Sequence, residues 1–191
     1  MISKTDIEKR FEKQLEKISC QELRDKVIAT WQAACEQGGW NSIEEIETMP
    51  FTALTDTHGV NIIEHTIAVT EGAYALGKAQ EAAYRKMPLK IDYDRLVAGG
   101  ILHDVGKLVE TIKDGKGGFT KSIAGRCLRH PIYGTVLAAR VGIDDKTLNT
   151  IACHAKEGDG SPQIIETVLI HQADFAAFNP FVMKNNGKLI E

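Results

Sequence analysis

An all-α helical bundle with one small hairpin or loop insertion is the fold this sequence predicts. Two observations point there. Apolar residues recur at helical rather than alternating spacing along most of the chain, and these stretches are bounded by helix-start and helix-stop residues. At 191 residues the chain is long enough for one well-packed domain. An apolar content of 43% with 26% charged disfavours disorder. A net charge of −3 argues against a general nucleic-acid binder. The opening MISKTDIEKRFEKQLEKI is charged throughout and no apolar run of membrane length follows, so a cytoplasmic protein without membrane contact is expected. Cys20, Cys35, Cys127 and Cys153 lack CxxC spacing. Reduced, mostly buried thiols are expected, rather than a zinc knuckle or disulfide framework, with Cys153 a small core residue beside His154.

In chain order, residues 4–18 and 21–37 read as amphipathic helices. Their stripes are Ile7, Phe11, Leu15, Ile18 and then Leu23, Val27, Ile28, Trp31, Ala34. They hold no cluster of metal-ligand residues and read as packing helices, with a homodimer surface as a further use. Residues 40–57 are less regular, with a short helix around Ile43–Ile46. A helix over 59–79 sets His65 on one arc with Ile62, Val69 and Leu76, so the imidazole faces the core. Glu64 points to solvent, and His58 reads as a helix-start residue.

A polar connection over 80–91, broken by Met87-Pro88, leads to Asp92 as the cap of the next helix. Its apolar run Leu96, Val97, Ile101, Leu102 ends in His103-Asp104-Val105-Gly106-Lys107. At helical pitch Leu96, Val97 and Gly100 share an arc with His103 and Asp104, so a carboxylate points inward. Gly106 then ends the helix and frees Lys107 to reach over the site. Residues 111–122, TIKDGKGGFTKS, read as a Gly-rich hairpin or loop carrying Lys113, Lys116 and Lys121. Its GKGG lacks the spacing of a phosphate-binding loop. His130-Pro131 opens another helix with Pro131 at the first position, and Val136, Leu137 and Val141 continue its buried face. Residues 145–154 form a short helix with His154 near its end. Pro162 begins the last long helix, 162–178, where Asp174 shares an arc with Thr167, Ile170 and Phe178. His171 lies one turn before Asp174, and Asn186-Gly187 reads as a hairpin signal in the tail.

A buried carboxylate needs a cation or several donors. Asp104 beside His103 is therefore either a buried His–Asp hydrogen bond or a pair of metal ligands. The order His65, His103-Asp104, His130, His154, Asp174, with the strings RLVAGGILHDVGK, RHPIYG and SPQIIETVLIHQADF, resembles the HD-domain metal-dependent phosphohydrolase superfamily over about residues 58–178. Within a single domain, the resemblance implies N-terminal packing helices over 1–57, a metal-binding core over 58–178 and a tail over 179–191. It also implies ligands donated from several helices to a central cleft.

By the same resemblance, His65, His103, Asp104 and Asp174 hold one metal, and Asp104, His130 and His154 a second, with Asp104 bridging. Such donors suit two divalent transition ions, Fe or Mn ahead of Zn, Co or Ni. The implied reaction is hydrolysis of a nucleotide or related phosphomono- or diester by a metal-bridged hydroxide. Asp104 and Lys107 would be catalytic; Lys107, Arg126, Arg129 and His171 would contact a small phosphorylated substrate. Two alternatives stay open. The same six ligands serve mixed-valent di-iron HD oxygenases that cleave C–C or C–P bonds, whose motif also continues with Gly-Lys. A non-catalytic HD sensor or scaffold usually lacks one or more ligands, whereas all six positions are filled here. The HD-GYP phosphodiesterases that open cyclic dinucleotides carry a GYP string and a His-His pair; here Cys153-His154 stands instead and no GYP follows.

Overall fold

Ser3 and Asp6 close a capping box that starts helix α1 (Lys4–Arg10) in the computed structural model, which describes residues 2–190. The helix expected over 4–18 is two short ones. Phe11 leaves helical geometry at φ −113°, ψ 18°, and α2 (Glu12–Leu15) resumes after it. The break lets Phe11 tilt against Trp31, with ring centroids 4.8 Å apart, while Ile7, Leu15 and Ile18 stay buried. α3 (Gln21–Gly38) ends at Gly39 in left-handed geometry, and α4 (Ile43–Ile46) follows. The Trp31 indole donates to the Ile101 carbonyl at 3.0 Å and Trp40 to the Leu108 carbonyl at 2.7 Å. Both bonds are buried, and they clamp the N-terminal helices to the segment that carries His103 and Asp104.

Asn61 and Glu64 form the capping box of α5 (Ile62–Ala83), so this helix starts three residues later than the spacing suggested. His58 is not its start. That residue sits at φ 50° in the preceding loop, with its ring Nε2 2.7 Å from Asn185 Oδ1. Leu76 is among the exposed apolar residues, not on the buried arc. α6 (Tyr93–Leu102) is capped by Asp92, whose side chain accepts from the Arg95 N–H. After a turn over 103–106 come α7 (Lys107–Glu110) and the hairpin of β1 (Thr111–Lys113) and β2 (Phe119–Lys121). The strands are antiparallel, with Ile112 opposite Thr120. Then follow α8 (Ile123–Cys127), α9 (His130–Val141), α10 (Asp145–Cys153) and a 3₁₀ turn, Lys156–Gly158. Arg129 caps α9, so Pro131 is its second residue, and Val136 turns outward rather than into the core.

The last helix, α11 (Ile165–Asn185), starts after Pro162 and runs through Pro180. Asn186-Gly187 ends it instead of turning a hairpin. Gly187 takes φ 63°, its N–H reaches the Lys184 carbonyl, and the Lys188 N–H reaches that of Met183. Cys20 and Cys127 are exposed, contrary to expectation; Cys35 is buried and Cys153 half-buried, and all four are free. Among the described residues no helix is long and apolar enough to cross a membrane.

α6 lies between α5, α10, α11 and α3, and this placement brings the site together. Its Gly99 and Gly100 make that possible. A Cβ on Gly99 would stand 2.4 Å from Thr150 Oγ1 of α10, and one on Gly100 would stand 2.7 Å from Thr70 Oγ1 of α5. The fold is thus all-α apart from the hairpin.

At the start of α6, Asp94 accepts from the backbone N–H of Ser19 (2.8 Å) and Cys20 (2.9 Å) and from the Ser19 hydroxyl (2.7 Å). Partial burial opposes ionisation, but these three donors hold the Asp94 carboxyl below its ordinary 3.8. The contribution to stability is therefore complete above the unfolded value and is lost as pH falls through the lower folded one. Asp94→Asn should cost about 1–2 kcal/mol in urea unfolding at pH 7, a gap that closes in strong acid. A gap that persists unchanged at pH 2 would contradict the assignment.

Candidate metal centre

Five segments deliver six side chains to one point: His65 from α5, His103 and Asp104 from the turn after α6, His130 from the first residue of α9, His154 at the end of α10, and Asp174 from α11. Asp104 stands at the centre, 1% exposed. Its two oxygens face different partners. Oδ2 is 3.4 Å from the Nε2 of both His65 and His103. Oδ1 is 3.1 Å from His130 Nε2 and 3.6 Å from His154 Nε2. Asp174 Oδ1 lies 3.0 Å from His65 Nε2.

The imidazoles are aimed by their far nitrogens. His103 Nδ1 is 2.7 Å from the Gly100 carbonyl and His154 Nδ1 2.8 Å from that of Ile151. A carbonyl only accepts, so these nitrogens carry the protons and leave an Nε2 lone pair facing inward. His130 Nδ1 points instead at Glu110 Oε2, 3.0 Å away. His65 is held by packing, its ring stacked on Phe51 at 4.3 Å and 13°.

Four buried atoms at the centre have no hydrogen-bond partner: the Nε2 of His65, His103 and His154, and Asp104 Oδ1. Such orphans are rare in protein interiors and demand a reason. Their donor chemistry supplies one. Ligand atoms lie within 4.8 Å of one another in each of the sets His65–His103–Asp104, Asp104–His130–His154 and His103–His154–Asp174. Nitrogen and carboxylate donors in adjoining sets fit divalent transition ions.

Burial raises the cost of ionising Asp104, yet Lys107 and His103 outweigh it and hold this carboxyl well below the carboxylate range. Asp174 behaves alike: burial opposes ionisation, but the close contact with His65 brings it down to about 2. Both acids are therefore anionic ligands at neutral pH. Burial pushes His154 down and keeps it neutral. In His65 burial acts the same way, but contacts with Asp104 and Asp174 prevail and raise it.

Lys107 reaches the site as anticipated, though anchored rather than free. Its Nζ donates to Asp104 Oδ2 at 2.5 Å and to the Phe51 carbonyl at 2.8 Å. His171 Nδ1 is 2.7 Å from the His154 carbonyl, and its ring packs on Phe175. Arg126 is exposed on α8. Arg129 has its Nε 3.4 Å from Glu157 and 3.8 Å from Glu110. Two residues escaped the sequence reading. Phe51 sits in an irregular stretch without periodic signal, and Glu110 resembles any charged helix end. Burial works against ionising Glu110, but bonds from His130 and Lys121 hold its carboxyl at about 2.

The family model described as HD domain matches residues 62–176. Ribonuclease Y of Pseudothermotoga lettingae is 29% identical over 167 residues, 86% of this chain and 28% of that protein. Ribonuclease Y of Thermotoga maritima is 30% identical over 118 residues, 62% of this chain and 18% of its own length. That of Thermoanaerobacter pseudethanolicus is 27% identical over 169 residues, again 86% and 28%. The chain thus spans less than a third of these curated relatives. No solved structure matches it.

Proposed function

This chain belongs to the HD domain family, and from that premise we propose that it is a metal-dependent phosphohydrolase that cuts a phosphodiester, RNA being the first substrate to try. One observation carries the reading: Asp104 gives each carboxylate oxygen to a different pair of imidazoles, the arrangement of a ligand shared by two ions. His65, His103, Asp104 and Asp174 would hold the first ion, and Asp104, His130 and His154 the second, with Fe or Mn suited to the mixed donors. When bound, such a pair supplies Lewis acidity toward phosphoryl oxygens and nearby water. The choice of a phosphodiester over an oxygenase substrate rests on the curated relatives, which are named ribonucleases.

The protein's own groups do the positioning. Carbonyls of Gly100 and Ile151 fix two imidazole tautomers, so neither His103 nor His154 has to be deprotonated or turned. Lys107 shares Asp104 Oδ2 with two imidazoles. Anchored by the Phe51 carbonyl, its ammonium would serve a non-bridging phosphoryl oxygen, a point-charge task that suits lysine. His171 braces the His154 backbone through its Nδ1.

Loaded with manganese under argon, the protein should release nitrophenol from bis-nitrophenyl phosphate and shorten an end-labelled RNA oligonucleotide. Lys107→Ala should slow both about ten- to a thousandfold. A manganese form silent on both substrates, beside an iron form whose mixed-valent paramagnetic signal responds to a polyol or phosphonate, would replace this reading with the oxygenase.

A further inference from the structure

Glu110 is buried, and nothing in the hydrolytic reading uses it. One of its oxygens, Oε2, meets His130 twice, 3.1 Å from the backbone N–H and 3.0 Å from ring Nδ1. A carboxylate only accepts, so His130 carries its ring proton on Nδ1 and turns Nε2 toward Asp104. The other oxygen, Oε1, is held 2.8 Å from Lys121 Nζ on β2. His103 and His154 have neutral backbone carbonyls at the equivalent nitrogen; His130 has an anion. A carboxylate behind a metal-bound imidazole fixes its orientation and makes it a stronger donor.

We propose that Glu110 is a positioning residue for the second metal ion, acting through His130 and setting that ion's affinity apart from the first. The inference rests on the two-ion reading above. Glu110 touches neither ligand atoms nor substrate. It locks the main chain and the ring of one ligand with a single oxygen, and its second oxygen is neutralised by a side chain of the hairpin.

The test is manganese binding to the purified chain by equilibrium dialysis. Glu110→Gln preserves the shape and one acceptor but removes the charge. Affinity for the second ion should fall about ten- to a hundredfold, with the first unchanged. Lys121→Met separates positioning from a merely structural tie to the hairpin. It cuts that tie and leaves the anion on His130, so second-ion affinity should stay within about threefold of the unaltered protein. Equal losses in E110Q and K121M, or no loss in E110Q, would overturn the proposal. Should E110Q fail to fold, the unaltered zinc-loaded protein gives the answer through its ring nitrogen spectrum, assigned against His130→Ala: Nδ1 protonated and Nε2 metal-bound supports it, the reverse tautomer refutes it. A single ion in the unaltered protein would sink the two-ion reading itself, and this inference with it.

Discussion

Asp104→Ala is expected to empty both metal positions at once and abolish activity with them, because its two carboxylate oxygens face the two imidazole pairs. Oδ2 serves His65 and His103; Oδ1 serves His130 and His154. Without the carboxylate the first set keeps two imidazoles and Asp174, and the second keeps imidazoles alone. Nor does the metal-free protein escape. Lys107, with its side chain 18% exposed, loses its anion and keeps only the Phe51 carbonyl. Breaking a buried pair from one side costs about 3–5 kcal/mol, and the partial exposure of Lys107 argues for the lower end. Elemental analysis and urea unfolding read the two effects separately. His154→Ala is the contrast, since it should release the second ion and spare the first. An Asp104→Ala protein that retains a full metal complement would remove the shared-ligand assignment.

Gly106→Ala should be nearly as damaging although it touches no ligand atom. Helix propensity alone would favour alanine by about 1 kcal/mol, and the local geometry, φ −64° and ψ −19°, accepts a side chain. Space decides otherwise. The added Cβ would lie 2.1 Å from the His130 carbonyl oxygen and 2.7 Å from the Gly134 nitrogen. Both are backbone atoms, which cannot swing aside as a side chain can. The expected loss is about 3 kcal/mol, at the upper end of ordinary overpacking, with the second ion lost first because the start of α9 must move. Urea midpoints without metal and dialysis with it test both parts. A variant as stable as the parent would show that α9 yields where the packing says it cannot.

Gly106 also illustrates what the chain made legible and what it hid. Expected to end the helix, it instead starts α7, four residues after α6 has ended at Leu102; its backbone is right-handed, and its need is room. The six clustered His and Asp residues could be read because each lies on or beside a periodic helix whose inward face is predictable, so a polar residue there stands out. Glu110 and Phe51 could not, because their partners lie far along the chain. His130 is 20 residues from Glu110, and the Phe51 carbonyl meets Lys107 56 residues on. Spacing rules reach across one or two helical turns and no further. The same limit explains the tail. Asn186-Gly187 favours a left-handed residue in a hairpin and at a helix end alike, and only the arriving α11 decides between them.

The indole bonds of Trp31 and Trp40 bear on where this protein can be cut. The family pattern begins at residue 62, yet the carbonyls of Ile101 and Leu108, on either side of the HD turn, are satisfied by residues 31 and 40. The ring that covers His65 comes from residue 51. A fragment trimmed to the family boundary would keep the six clustered His and Asp residues but lose these bonds and uncover the apolar surface that Trp31, Trp40 and Phe51 bury. The smallest autonomous folding unit is therefore expected to be larger than the evolutionary module, a fragment over 62–191 unfolding at lower urea than the whole chain.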